Sequence, residues 1–393
     1  MEFLKKIKNY FQKTDLFLWL MTIIAIIYSI VLINSLQRAS DYNYINTQII
    51  GIVIGFVLAI IISCIDYKYF LQAWWVFAAL SIILLVLVFI FGRQVEGTDD
   101  VAWIYLGPIS IQPTEFIKVF FIITFSKHMQ VLKDTEKIET LFGVITLLIH
   151  IAIPVVLIHL QGEDGTVLVL LFMFIIMTFL GGVQLRYFII LLVMAAAAIP
   201  LSWNFLLSED QKNRFMVLFD LDGGTIKNYG WQQYQGKVSI ASGYLNGSGL
   251  GNGKRVESLI VPEQENDFIF TVAGEELGFV GCAILLIILL VIIIKVIFIS
   301  LKARDYQGKI ICIGVFSMLA TQVIINIGMV LGFFPVIGIT LPFFSSGGTS
   351  IIAVLMTVGL AQSVYFRKDD IEEENGVLKQ NKFKYIKNIN NEY

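Results

Sequence analysis

The sequence predicts an all-α, polytopic membrane protein of ten transmembrane helices, with one large extracellular loop between helices 7 and 8. Three observations carry this. Hydrophobic residues fill 57% of the 393 positions and charged residues 15%, where a soluble domain carries about 25% charged. Mean hydropathy is +0.80. The apolar residues gather into uncharged runs long enough to cross ~30 Å of hydrocarbon as helices.

In chain order those runs are 16–37, 42–65, 69–92, 140–162, 165–185 and 187–208. A further span covers 268–294, interrupted only by Glu275 and Glu276. The stretch 310–366 has no charge in 57 residues. It is too long for one helix, and Gly332, Pro335, Gly338 and Pro342 divide it into two around a loop. The tenth span is short, about 114–127, and contains Glu115 and Lys118. The first span is long and lacks a small-residue cleavage site, so it reads as an uncleaved anchor.

Lysine and arginine set the orientation. With the N-terminus inside, the inner short segments hold Lys5, Lys6, Lys8, Lys13, Lys68, Lys127, Lys133, Lys137, Arg186, Lys302, Arg304 and Lys309. The outer short loops hold only Arg38 and Arg93. Both termini are therefore expected in the cytoplasm and the polar insert 208–266 outside. The transmembrane domain is expected over 1–366 and a cytoplasmic tail of little fixed structure over 367–393. The net charge of −2 names no partner, and no nucleic acid is expected. Cys64, Cys282 and Cys312 lie in apolar runs, which suits buried thiols.

Ionisable groups inside such a membrane domain are the candidates for function. Asp267 stands at the mouth of the eighth span, in 262–281 (PEQENDFIFTVAGEELGFVG). It is either an N-cap or part of a polar site. Glu275 lies eight residues on, about 80° round a helix and loosely on the same side. Glu276 is nearer the opposite face. In 112–118 (QPTEFIK), Pro113 and Thr114 start and cap a helix, and Glu115 and Lys118 pair on one face. Glu163 and Asp164, in 161–166 (QGEDGT), favour a helix N-terminus or face a site. Trp103 suits an aromatic belt. Glycines at 243, 247, 249, 251 and 253, beside Lys254 and Arg255, either approach a pyrophosphate or make a flexible loop.

Together these segments resemble the RodA/FtsW/SpoVE family, the shape, elongation, division and sporulation proteins of bacteria, over about residues 16–366. The motifs are QPTEFIK, QGEDGT, GWQQYQ with SGYLNGSGLGNG, PEQENDFIFTVAGEELGFVG, and NIGMVLGFFPVIGITLPFFSSGGTS. The chain departs from the family at Gly162 and Glu163, where Pro and Asp are usual, and in DDVAW, which lacks a Gly-Ala.

The resemblance implies a peptidoglycan glycosyltransferase that polymerises lipid II on the outer membrane face. Donor inversion at an anomeric carbon needs a base on the acceptor hydroxyl; Asp267 takes that position, with burial near Glu275 raising its pKa. Trp103, Glu115, Lys118, Glu263 and Glu276 match family motif positions, Glu163 stands where the family's aspartate is usual, and Gln232, Glu275 and Ser345 join the cavity. The pyrophosphate leaving group would be stabilised by Arg214, Lys254, Arg255 or a divalent cation (Mg or Mn). No other cofactor is implied. The expected partners are a class B penicillin-binding protein and elongation-complex membrane proteins. The N-terminal segment and 45–70 look most like RodA; the competing readings are the division or sporulation branch, a lipid II flippase, or a scaffold.

Overall fold

Helix boundaries follow the capping residues. A computed structural model describes residues 8, 10–38, 43–94, 101–106, 109–205, 207–219 and 230–369. Helix α1 runs Leu16–Gln37, capped by Asp15, whose carboxylate accepts from the Leu18 amide. Helix α2, Tyr44–Cys64, is capped by Asn43. A short α3, Tyr67–Gln72, turns into α4, Trp74–Phe91, so the expected 69–92 span is two helices. After α5, Pro113–Asp134, come α6, Leu141–His159, capped by Thr140, and α7, Asp164–Gly181. Helix α8 is Leu185–Phe205. Three short helices follow: α9, Glu209–Met216; α10, Trp231–Ser242; and α11, Lys254–Glu257. The chain ends with α12, Ile269–Leu301, α13, Tyr306–Leu331, and α14, Gly348–Phe366.

Among the described residues nine helices are long and apolar enough to cross a membrane. The exception is α5, which carries more charge but spans 22 residues, about 33 Å at 1.5 Å per residue. The ends of the bundle require it to cross. The Asp15 amide donates to Gln362 Oε1 at 2.9 Å and Gln362 Nε2 donates back to the Asp15 carbonyl at 2.8 Å. The start of α1 and the end of α14 thus share one end of the bundle, which needs an even number of crossings.

The chain is predominantly helical, as expected. Its small departure is an antiparallel sheet before α5, made of β1 (Arg93–Gln94), β2 (Val101–Leu106) and β3 (Ile109–Ile111). The polar insert 208–266 carries α9, α10 and α11.

The packed centre is α13 and α14, most of whose residues are buried, with α5 and α12 against them. Helix α8 has no buried residue. Large apolar side chains on α1, α2, α4, α6, α8 and α12 face outward, as a lipid-facing surface requires. At the end holding the start of α1 and the end of α14, Asp15 pairs with Lys295 at 2.7 Å, and Lys68 with Asp305 at 3.2 Å. Arg367 is buried and donates to the Ser63 and Cys64 carbonyls, closing the last turn of α2. It therefore belongs to the bundle, although it was expected to open the tail. Tail residues 370–393, Lys5, Lys6 and the acids of DDVAW lie outside the described residues.

Candidate functional site

The turn before α12 is fixed one carbonyl at a time. Gln232 Nε2 holds the Pro262 carbonyl at 2.8 Å. Glu263, at φ 52°, has its carbonyl bonded by the Asn266 and Phe268 amides, both at 3.1 Å. The Ser346 amide holds the Glu265 carbonyl at 2.8 Å. Ser345 Oγ donates to the Asn266 carbonyl at 2.7 Å, and Asn326 Nδ2 to the Asp267 carbonyl at 2.8 Å. The Phe268 ring is fully buried beneath.

This frame excludes the N-cap reading of Asp267. The N-cap residue of α12 is Phe268, and no side chain caps the helix. The Asp267 side chain is half-buried. Among the described residues no hydrogen bond or ion pair occupies its carboxylate. A backbone held at each carbonyl thus presents a carboxylate that is partly open to solvent yet crowded by protein. Burial pushes its pKa up to about 7, and the charges of Glu263, Glu265 and Glu115 push the same way. Glu275 is not among those neighbours, so the expected source of the shift is corrected. Burial also raises Glu265, whose Oε1 accepts from the Tyr44 hydroxyl at 3.0 Å.

The facing wall comes from α5, α7 and the segment between α13 and α14. Lys118 Nζ lies 2.8 Å from Glu115 Oε1 with both side chains buried, as expected. Thr114 does not cap α5; Pro113 begins the helix, and the Thr114 hydroxyl donates to Glu163 Oε1 at 2.9 Å. The same oxygen accepts from the Gln112 amide group and, at 3.2 Å, from the Thr166 hydroxyl. Glu163 therefore stands at the N-cap position of α7 but its side chain makes no capping bond and serves as a buried acceptor, and burial raises its pKa to about 7. Asp164 instead takes the first turn of α7 and pairs with His159 at 2.6 Å. One oxygen of Glu115 and one of Glu163 are buried without a protein partner, a sign of water or ligand in the gap between them.

Gly165, the second residue of α7, touches the Ile337 carbonyl so closely that any Cβ would clash. That contact brings the α13–α14 segment over the site. Gly338 follows, and Asp267 Oδ2 lies 3.5 Å from where its Cβ would stand. Arg214, exposed on α9, donates to the Val336 carbonyl at 3.3 Å and so holds a cation at the rim. Trp103 is half-buried on β2, and the Val101 amide ties this strand to the Gln161 carbonyl at 2.9 Å.

The two glutamates of the eighth span serve a different purpose. Helix α12 is broken at Gly278, at φ 66° and ψ −162°. The break frees backbone groups, and the glycine-rich stretch satisfies them. Phe279 and Val280 amides donate to the Tyr244 and Leu245 carbonyls at 2.9 and 3.1 Å. The Ser248 and Gly249 amides donate to the Glu275 and Glu276 carbonyls at 3.0 and 2.9 Å. The side chains add to this: Glu275 Oε1 accepts from the Arg255 amide at 2.8 Å and Glu276 Oε1 from the Gly251 amide at 3.1 Å. The stretch is neither flexible nor a phosphate cradle, since these amides are taken by α12. Arg255 also turns inward, to Ser239 at 2.9 Å and to Gln235, whereas Lys254 is exposed.

Several contributors were not singled out as site residues in the sequence. Asn326, Gln48, Tyr44 and Thr349 bind this frame: Gln48 Oε1 accepts the Gly347 amide at 3.1 Å, and Thr349 Oγ1 the Gln112 amide at 3.3 Å. Gln48 and Asn326 had a signal, as buried amide side chains within apolar spans. Among the described residues no group of three or more His, Cys, Asp or Glu is arranged to hold a metal ion.

Known proteins share this architecture. A family model described as "Cell cycle protein", covering FtsW, RodA and SpoVE, matches residues 12–369. Peptidoglycan glycosyltransferase MrdB of Escherichia coli is 30% identical over 341 residues, 86% of this chain and 90% of that protein. Stage V sporulation protein E of Bacillus subtilis is 31% identical over 363 residues, 89% of this chain and 96% of that one. A chain from a peptidoglycan synthase complex, whose structure concerns coordination of polymerization and crosslinking, superposes with TM-score 0.76 at 25% identity. It covers 90% of this chain and 98% of its own length. The crystal structure of Thermus thermophilus rod shape determining protein RodA gives TM-score 0.66 at 24% identity, over 90% of this chain and 97% of that one. At that identity it speaks for the fold alone. The chain belongs to the FtsW/RodA/SpoVE family.

Proposed function

We propose that the protein is a peptidoglycan glycosyltransferase that polymerises lipid II, with Asp267 as the general base. The observation that carries the reading is the free Asp267 carboxylate on a turn whose carbonyls are held by Gln232, Ser345, Ser346 and Asn326. Relatives named peptidoglycan glycosyltransferase support the activity.

In this reading the acceptor GlcNAc 4-hydroxyl gives its proton to Asp267. The hydroxyl oxygen forms a bond to the donor's anomeric carbon from the face opposite the leaving group. The bond from that carbon to the pyrophosphate oxygen breaks, and undecaprenyl pyrophosphate departs with the electron pair. A base works best with a pKa near the working pH, and a value near 7 meets that condition. Arg214, at the rim, and exposed Lys254 are the cations available to the departing pyrophosphate. Arg255 is engaged elsewhere. No step is routed through a metal ion.

The lysine distribution supports a cytoplasmic location for both termini and an outer location for Asp267. The end of α14 at Phe366 supports a domain division close to 366, with Arg367 still held by the bundle. We assign the protein to the elongation branch on its N-terminal segment; the near-equal identities to MrdB and to the sporulation protein are neutral on that point. A class B penicillin-binding protein is the partner we propose, because a similar chain works within a peptidoglycan synthase complex. Purified protein supplied with lipid II should form glycan strands. Vesicle assays that yield lipid movement across the bilayer without glycan would favour a flippase instead.

A further inference from the structure

The end of the bundle opposite Asp267 carries a groove that the glycosyltransferase reading does not use. It is a cavity of about 750 Å³, lined among others by Lys8, Phe11, Asp15, Phe17, Lys295 and Tyr365. Its charge is lopsided. Lys8 is exposed, and Lys295 is shared between Asp15, at 2.7 Å, and the Phe17 ring, at 5.5 Å. Two further ammonium groups stand at its edge: Lys13 over the Phe366 ring and Lys368 over the Tyr365 ring, at 5.8 and 3.9 Å. Among the described residues Asp15 is the one acid in the lining.

The apolar part is equally directed. Phe11 and Phe17 are 53% and 48% exposed. Below them α1 presents an outward stripe of Leu16, Leu20, Ile23 and Ile27. Helix α12, packed against α1, presents Ile294, Leu290 and Ile287 below Lys295. From residue 16 to 27 a helix rises about 16 Å, close to half of the ~30 Å hydrocarbon core. Cations at the interface over one leaflet's depth of apolar surface match a molecule with an anionic head and acyl chains. A soluble anion would leave the stripe unused, and a protein helix would leave the lysines uncompensated.

We infer that this groove is a binding site for an anionic phospholipid, its phosphate received by Lys8 and Lys295 and its chains laid along α1 and α12. The lipid would fasten the first helix to the eighth long one. The inference needs only the membrane setting, so it stands or falls independently of the glycosyltransferase reading.

The test uses the full chain, delipidated in detergent, with lipid adducts counted by native mass spectrometry. Phosphatidylglycerol should bind at lower concentration than phosphatidylethanolamine of the same chains. Each lysine near a membrane surface is worth roughly five-fold in affinity for an anionic head. Lys8→Ala should therefore weaken phosphatidylglycerol about five-fold and leave phosphatidylethanolamine unchanged. The paired variant Asp15→Asn with Lys295→Gln, which retains a capping side chain for α1, should lower the same preference. Equal binding of the two lipids by the native chain would overturn the inference. So would a preference unchanged in both variants, or displacement of phosphatidylglycerol by equimolar glycerol 3-phosphate.

Discussion

Asn326 joins Asp267 to Ile339: its buried Nδ2 donates to the Asp267 carbonyl at 2.8 Å and to the Ile339 carbonyl at 2.6 Å. One amide group thus fixes the backbone of the proposed base and the segment that covers it. Asn326→Leu keeps the volume and leaves both carbonyls unpaired. A loss of about 2–3 kcal/mol in stability is expected, from the desolvation of unsatisfied groups. Activity should fall further, by ~100-fold, because small misplacements of a catalytic group are costly. Thermal unfolding and glycan synthesis, compared on one preparation, check both.

The buried pair Glu115–Lys118 makes a different prediction. Removing one partner strands a charge, so Lys118→Met should cost about 3–5 kcal/mol. The double variant Glu115→Gln with Lys118→Met should recover most of that. Unfolding midpoints of the two single variants and the double form the required cycle. If the double is no more stable than Lys118→Met, the pair is not the source of the loss.

The break at Gly278 predicts a backbone effect. Its φ of 66° disfavours any side chain, and a Cβ would strike the Gly247 nitrogen. Gly278→Ala should cost at least about 1–3 kcal/mol and release the 243–257 stretch from α12. Limited proteolysis should then cut within that stretch, where the native chain resists.

Protonation of Asp267 links activity and stability in opposite directions. The folded side chain keeps its proton up to about pH 7, an unfolded aspartate only to about 4. Between those values the folded state binds more protons, so stability falls as pH rises, levelling above 7. The ionised base, and with it kcat/KM, should rise over the upper part of that window. Asp267→Asn removes the linkage. It should match the native chain at pH 4 and exceed its melting temperature at pH 8 by on the order of a few degrees. Calorimetric scans of both proteins across that range test the sign.

Much of the fold was legible because spans in lipid must be long and apolar, and charges bound them. The ends were sharpened by Asp15, Asn43, Thr140 and Asp305, each a cap visible in sequence. Helix α5 ran past its expected end because Lys127, Lys133 and Asp134 belong to its last turns. The sheet around Trp103 was missed, its strands being two, six and three residues long. For Asp267, capping and catalysis were inseparable from sequence, since the difference lies in the turn at Glu263. The wheel relating Asp267 to Glu275 failed because Asp267 precedes the helix. The glycine pattern did encode close approach, but to α12 rather than to a ligand.

Asp267 is the proposed base of glycan polymerisation, and its substitution tests that role most directly. Asp267→Asn preserves shape and, with Phe268 as the helix N-cap, removes no cap. Purified native and Asp267→Asn proteins, at pH 7.5 or so and with equal melting behaviour or better for the variant, should be compared on lipid II by gel or chromatographic resolution of the glycan strands. A loss of at least about 10²–10⁴-fold, the worth of general base catalysis, with intact lipid II binding is the predicted result. A well-folded Asp267→Asn protein that polymerises at the native rate would contradict the account.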